Sequence, residues 1–224
     1  MSSLRYGIEA GAMEEDVKTC ALVAASDFNA EHFSECASAG EFDFVMAVDG
    51  GFAHLQAIDF APDYVMGDFD SLGYVPVGAN VEVHPAHKDK SDLELALDYV
   101  AERAYGRVVI YGALGGRLDH TMAALQMCAR FAEAGMEVTL VDSGCAVRIL
   151  VGPALFMLPL RESGTVSVFS ATDVSTDVSE WGMEYPLEHA RLTNRTTLGL
   201  SNELKGEPAG ITLNAGTLYV FYPL

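Results

Sequence analysis

The sequence predicts an α/β chain in two parts, a Rossmann-like parallel sheet domain followed by a C-terminal antiparallel β-sandwich domain. Three observations carry that expectation. Short apolar runs alternate with amphipathic helical stripes up to about residue 144. Clusters rich in Asp and Gly follow several of those runs, where the carboxyl ends of parallel strands would converge on one crevice. Beyond Gly144 the texture changes to short β-prone runs punctuated by turns, without a long helical stripe. The division is residues 1–17 as a loose polar extension, 18–144 as the α/β domain and 145–224 as the sandwich.

Each element has its own signal. Thr19–Ala25 is short, apolar and partly β-branched, as a buried strand requires. Phe42–Val48, Tyr64–Met66, Val81–Val83, Arg107–Tyr111 and Glu137–Val141 repeat the pattern. Leu93, Ala96, Leu97, Val100 and Ala104 fall at three- and four-residue steps and predict a helix. Ser91 and Glu94 form a capping-box pair at its start, which puts Asp92 in the first turn. Leu118, Met122, Leu125 and Ala129 predict a second helix, with Gly115 and Gly116 just ahead of it. In the C-terminal part, strands are expected at Val147–Val151, Leu155–Leu158, Thr165–Ser170, Leu192–Thr197, Ile211–Leu213 and Leu218–Tyr222. Asn214-Ala215-Gly216 reads as a hairpin turn between the last two.

Composition narrows the function classes. Half of the 224 residues are hydrophobic, enough for buried cores, and the formal net charge is −19. No basic stripe offsets that charge, so nucleic acid and anionic membrane surfaces are excluded as partners. No apolar run approaches the ~20 residues of a membrane-spanning helix, and no secretory leader is visible, which points to the cytoplasm. Cys20, Cys36, Cys128 and Cys145 form no Cys-x-x-Cys pair and read as reduced core thiols. His84-Pro85-Ala86-His87 lacks a second ligand pair and carries no metal assignment.

Three clusters carry the chemistry. In Gly67-Asp68-Phe69-Asp70-Ser71, two carboxylates follow an apolar run; alone this is an ordinary turn, but with Asp92 it supplies three hard oxygens for one divalent cation. Lys88-Asp89-Lys90-Ser91-Asp92 adds cations beside that carboxylate. Gly112 to His120 is neither a dinucleotide fingerprint nor a P-loop. It nevertheless brings together Gly115 and Gly116 for close backbone approach, Arg117 to fork onto phosphate oxygens, and Asp119 and His120 as polar partners. Asp49-Gly50-Gly51 is either a capped helix start or a place of close approach to a nucleotide. An anionic chain that binds ATP needs metal and local cations, so charge and motif together imply Mg²⁺.

These clusters, in this order, followed by Gly182-Met183-Glu184-Tyr185-Pro186-Leu187 and Leu200-Ser201-Asn202-Glu203, closely resemble the thiamine pyrophosphokinase family from about Thr19 to the C-terminus. The resemblance implies an α/β ATP-binding catalytic domain and a thiamine-binding β-sandwich, transfer of pyrophosphate from ATP to thiamine, and a homodimer with thiamine at the subunit interface. It implies Mg²⁺ on Asp68, Asp70 and Asp92, the catalytic carboxylates. Asp49, Gly50, Gly51, Lys88, Gly115, Arg117, Asp119 and His120 would line the ATP site, and Tyr185, Ser201 and Asn202 would face thiamine. Val48 and Glu184 depart from the Ala and Lys the family often has there. Two alternatives stand beside this reading: a phosphatase using Asp68-Phe69-Asp70 as its nucleophile loop, and a non-catalytic thiamine or nucleotide sensor.

Overall fold

The computed structural model describes residues 17–78, 80–85 and 87–224; residues 1–16, most of the expected extension, lie outside it. The chain separates into two compact units, one ending at Ser143 and one comprising Gly144–Leu224.

In the first unit, β1 (Thr19–Val23) is buried along its whole length, as expected of a strand covered on both faces. It pairs in parallel with β2 (Phe44–Val48) on one side and β5 (Arg107–Tyr111) on the other. β3 (Tyr64–Gly67) and β4 (Val81–Val83) extend the β2 side, and β6 (Glu137–Val141) extends the β5 side, all parallel. The resulting order, β6-β5-β1-β2-β3-β4, reverses direction at β1. In such a sheet the carboxyl ends flanking the reversal open into a crevice.

Helices α1 (Ala30–Ser38), α2 (Gly51–Ala57), α3 (Asp92–Glu102) and α4 (Leu118–Glu133) connect the strands. Two expectations about them need correction. Ala104 is not part of the α3 stripe: the helix is capped at Arg103, and Ala104 lies beyond it, exposed, with φ of +58°. On α4 the buried face is Ala124, Cys128, Ala129, Phe131 and Ala132, while Leu118 and Met122 are 84% and 57% exposed. The N-terminal half of α4 thus leaves Leu118 and Met122 at the surface, and its apolar packing begins at Ala124.

The second unit is all β. One antiparallel sheet has the order β12-β9-β14-β7, from β12 (Gly199–Glu203), β9 (Thr165–Ser170), β14 (Thr217–Pro223) and β7 (Cys145–Val151). The other has the order β11-β10-β13-β8, from β11 (Leu187–Leu192), β10 (Ser175–Trp181), β13 (Gly210–Leu213) and β8 (Ala154–Met157). Val166, Val168, Leu218, Val220 and Tyr222 of the first sheet and Val178, Ile211 and Leu213 of the second are buried. The Phe156 and Tyr222 rings meet edge-on at 5.4 Å.

Three expectations fail here. Residues 193–197 are turn rather than strand, because β11 ends at Leu192. β10, β12 and most of β11 fall outside the strands expected from the sequence. Asn214-Ala215-Gly216 is not a hairpin turn: β13 pairs with β8 and β10 whereas β14 pairs with β7 and β9, so this turn carries the chain from one sheet to the other.

Candidate active site

Asp49 leaves the end of β2 with φ of +48°, a conformation that Asp tolerates better than most residues. The turn aims its carboxylate at the loop after β3. Oδ1 accepts from the Phe69 amide at 3.0 Å and Oδ2 from the Ser71 hydroxyl at 2.8 Å. Gly67 permits this approach, since a Cβ there would stand 2.8 Å from the Asp49 Cα. Phe69, itself at φ of +58° and buried, anchors the loop so that Asp68 and Asp70 flank it. One carboxylate oxygen from each of Asp49, Asp68 and Asp70 lies within 4.8 Å of the others. Such a set of hard oxygen donors fits a divalent cation of the Mg²⁺ or Ca²⁺ type.

Asp92 arrives from the other side. Ser91 caps α3 by accepting from the Glu94 amide at 3.2 Å, but the reciprocal half of the expected box is not formed by Glu94, whose carboxylate accepts from Arg130 at 3.0 Å. Asp92 in the first turn accepts from Lys88 at 2.8 Å, and Lys88 also reaches Asp68 at 3.3 Å. The Lys88 ammonium thus bridges two carboxylates, and among the described residues the acidic triad close enough to share a cation contains Asp49 where the sequence suggested Asp92.

The charges respond accordingly. Burial alone would raise Asp68, but the Asp70 amide and Lys88 outweigh it and hold its pKa below the usual value. Lys88 moves the opposite way: desolvation would lower it, yet its bonds to Asp92 and Asp68 raise it further. Burial dominates at Asp92 and raises its pKa, with the negative charges of Asp68 and Asp49 adding to it and Lys88 opposing.

The loop after β5 forms the next wall. Gly112, Gly115 and Gly116 all have positive φ. Added Cβ atoms would collide with the Ala24 carbonyl oxygen at 2.2 Å, Asp27 Oδ2 at 2.2 Å and Ser26 Oγ at 2.8 Å, respectively. The glycine-rich loop is therefore closely fitted to the segment after β1, which Ser26 N fastens to the Gly112 carbonyl at 2.8 Å. Sequence reasoning missed Ser26 and Asp27. Their position directly after the central strand of the switch point was the available signal.

Gly50 and Gly51 are explained by packing, since a Cβ on Gly51 would stand 1.8 Å from the Val23 carbonyl oxygen. Arg117 and Asp119 form an exposed ion pair with each other, Nη2 to Oδ2 at 2.6 Å, and the Arg117 hydrogen bond draws the Asp119 carboxyl down to about 2. Asp119 also accepts from the amide of His120, which is exposed.

In the β unit the two motifs singled out from sequence form one structure. The Glu184 amide donates to the Glu203 carbonyl at 3.0 Å, and Met183 and Leu204 form a β-bridge. Tyr185 is 61% exposed, and Ser201 is exposed at φ of +59°. Asn202 differs from the expectation that it faces a ligand. It is 4% exposed, and all four of its hydrogen-bonding positions are filled. Oδ1 accepts from the Tyr185 and Glu203 amides, each at 3.0 Å, and Nδ2 donates to the Tyr185 carbonyl at 2.9 Å and to Glu180 Oε2 at 2.8 Å.

A parallel α/β sheet whose switch-point crevice holds clustered carboxylates, a bridging lysine and a glycine loop defines the class of nucleotide-dependent transferases. Comparison with known proteins specifies the member. The family model described as "Thiamin pyrophosphokinase, catalytic domain" matches residues 38–140, and "Thiamin pyrophosphokinase, vitamin B1 binding domain" matches residues 157–218. The chain belongs to the thiamine pyrophosphokinase family.

Among curated relatives, the thiamine pyrophosphokinase of Bacillus subtilis is 27% identical over 166 residues, covering 71% of this chain and 77% of the relative. Thiamin pyrophosphokinase 1 of Caenorhabditis elegans is 26% identical over 152 residues, covering 64% and 63%. The crystal structure of the Geobacillus thermodenitrificans thiamin pyrophosphokinase superposes with a TM-score of 0.77 at 25% identity, covering 92% of this chain and 97% of that one. That of the Bacillus subtilis enzyme gives 0.76 at 24% identity, covering 92% and 99%. Neither the phosphatase nor the sensor alternative is supported by these findings.

Proposed function

We propose that this protein transfers the pyrophosphoryl group of ATP to the hydroxyl of thiamine, giving thiamine diphosphate and AMP. The observation that carries the reading is the Asp49, Asp68 and Asp70 oxygen cluster inside the part of the chain that matches the family's catalytic model. The vitamin B1 binding model over residues 157–218 supplies the second substrate.

Asp68 and Asp70, with Asp49 and Asp92 beside them, would hold Mg²⁺, which supplies charge neutralisation on the polyphosphate. Lys88 and Arg117 contribute cations to the phosphate oxygens, and Gly115 and Gly116 allow the backbone to come close to the nucleotide. Asp119 and His120 line the same edge. The thiamine oxygen bonds to the β-phosphorus as the bond from that phosphorus to the α–β bridging oxygen breaks, and AMP departs with the electron pair. Asp92, raised in pKa by burial, accepts or orients the hydroxyl proton once Lys88 turns to phosphate.

Tyr185 and Ser201 present the thiamine-facing surface of the β unit, with Asn202 beneath them. The protein acts as a homodimer in which the partner subunit completes the thiamine site. A cytoplasmic location is supported by the buried, unpaired thiols of Cys20, Cys36 and Cys128. Among the described residues no helix is long and apolar enough to cross a membrane.

The test is product stoichiometry from ATP, thiamine and Mg²⁺. Equimolar AMP and thiamine diphosphate are expected. ADP with thiamine monophosphate would replace this reading with a single phosphoryl transfer.

A further inference from the structure

Among the described residues, one fully buried carboxylate has no part in the proposed reaction. Glu180, on β10, is 1% exposed. Its Oε2 accepts from Asn202 Nδ2 at 2.8 Å, while its Oε1 is buried with no hydrogen-bond partner. Burying a carboxylate on one neutral donor is costly, and an apolar side chain would fill the same volume without that cost. The question is what the carboxylate holds in place.

It holds Asn202, and Asn202 holds Tyr185. The Asn202 side chain grips both backbone polar groups of Tyr185, accepting from its amide at 3.0 Å and donating to its carbonyl at 2.9 Å. A side-chain amide can present its oxygen and nitrogen in either of two flipped orientations. Glu180 selects between them: only a nitrogen can point at the carboxylate, which turns the oxygen toward the Tyr185 and Glu203 amides. The flipped state would set two oxygens against each other and leave the Tyr185 amide facing an NH₂ group.

The chain around Tyr185 also needs such a fastening. Gly182 leaves β10 at φ of +72°, where a Cβ would stand 2.1 Å from the Pro208 carbonyl oxygen, and Pro186 follows Tyr185 and donates no amide bond. Among the described residues, the short segment 183–185 is tied back by the Met183–Leu204 bridge, the Glu184 amide and the Asn202 side chain.

We propose that Glu180 is a positioning residue for thiamine, fixing the orientation of Asn202 and thereby the backbone and ring of Tyr185. This rests on the reading that Tyr185 faces thiamine. Glu180 itself touches no substrate. Burial raises its pKa to about 6, so near neutrality it is mostly ionised and accepts a charge-assisted bond from Asn202.

The experiment compares wild type with Glu180→Gln, Glu180→Asp and Glu180→Met. The readouts are KM for thiamine, KM for ATP, thiamine binding by calorimetry, and amide hydrogen exchange at Tyr185 and Glu203. Glu180→Gln keeps an acceptor oxygen at the same reach and should bind thiamine within about threefold of wild type. Glu180→Met removes the acceptor and should weaken thiamine binding about tenfold, the equivalent of about 1.4 kcal/mol, with KM for ATP unchanged. Exchange should accelerate at Tyr185 and Glu203 but not at Val178 or Ile211 in the adjoining strands.

Glu180→Asp decides the matter if the Met variant does not fold. Retaining the charge one methylene short of Asn202, it should fall at least about threefold below Glu180→Gln in thiamine affinity. Equal thiamine affinity of the Asp or Met variant and the Gln variant overturns the proposal, as does a parallel loss of ATP and thiamine affinity in a folded variant. Failure of the wild type to bind thiamine would instead remove the proposed function, and the exchange data would still report whether Glu180 fixes the Tyr185 segment.

Discussion

Replacing Lys88 by Met keeps the apolar stem and removes the ammonium that joins Asp68 to Asp92. The three side chains are 15%, 14% and 18% exposed, so they lie between surface pairs, worth up to about 1 kcal/mol, and buried pairs, whose disruption costs about 3–5 kcal/mol. An intermediate loss of about 2 kcal/mol is expected. For a chain of this size it corresponds to a fall of about 4–8 °C in Tm.

The loss depends on pH with a definite sign. Asp68 has a pKa held below its unfolded value, so the stability it contributes is present above that unfolded value, near 4, and is lost as pH falls through the lower folded value. Asp92, already raised by burial, would rise further without Lys88 and take up a proton earlier on acidification. The gap between variant and wild type should therefore be widest near about pH 7.5 and narrower near about pH 5. Adding Mg²⁺ near neutrality should also narrow it, because without Lys88 the carboxylates of Asp68 and Asp92 are free to bind the cation more tightly, and the tighter-binding folded state gains more stability. Melting curves followed by circular dichroism, in chelated and Mg²⁺-containing buffer at both pH values, measure all of this. Equal Tm values for the two proteins in chelated buffer near neutrality would refute the bridging role of Lys88.

Further outcomes follow from other sites. Gly51→Ala places a methyl group 1.8 Å from a backbone oxygen and should cost about 3 kcal/mol or prevent folding, while Gly144→Ala, with nothing within 4 Å, should stay within about 0.5 kcal/mol in denaturant unfolding. Glu180→Gln should stabilise the fold near about pH 7.5 by up to about 2 kcal/mol, because the wild-type carboxyl is raised from 4.5 to about 6. In the wild type that penalty is absent below the unfolded value and complete above the folded one, so the gain in urea midpoint should vanish by about pH 4.5. Asp92→Asn should reduce turnover about a hundredfold or more while shifting Tm by only a few degrees; near-normal turnover would remove Asp92 from the chemistry.

The parallel sheet was legible because β1, β2, β5 and β6 are nearly continuous apolar runs, the signature of strands covered on both faces. β10 was hidden for the opposite reason. Its inward positions Ser175, Val178 and Glu180 are mostly polar, so Ser175-Thr-Asp-Val-Ser-Glu-Trp181 reads as loop, and the inward Glu180 makes sense only once Asn202 is beside it. Thr193 to Thr197 shows the converse, β-prone residues used in a turn. Leu118 and Met122 keep helical spacing but are exposed, because spacing shows which face a residue shares and not how far along the helix its packing partners reach.

At the site, Asp68, Asp70, Lys88 and Asp92 were visible as clustered charges. Asp49 belonged with them only through its left-handed turn. Ser26 and Asp27 entered only through the fit of Gly115 and Gly116 against them.

The most direct test uses ATP labelled at the β-phosphorus, with thiamine, Mg²⁺ and the purified protein, beside a protein carrying Asp68→Asn and Asp70→Asn. Label should pass to thiamine diphosphate in the wild type, with unlabelled AMP released, and transfer should be lost in the double variant although its Tm stays close to wild type. Label retained in ADP, or transfer that survives loss of both carboxylates, would overturn the assignment of this crevice as a metal-dependent pyrophosphoryl-transfer site.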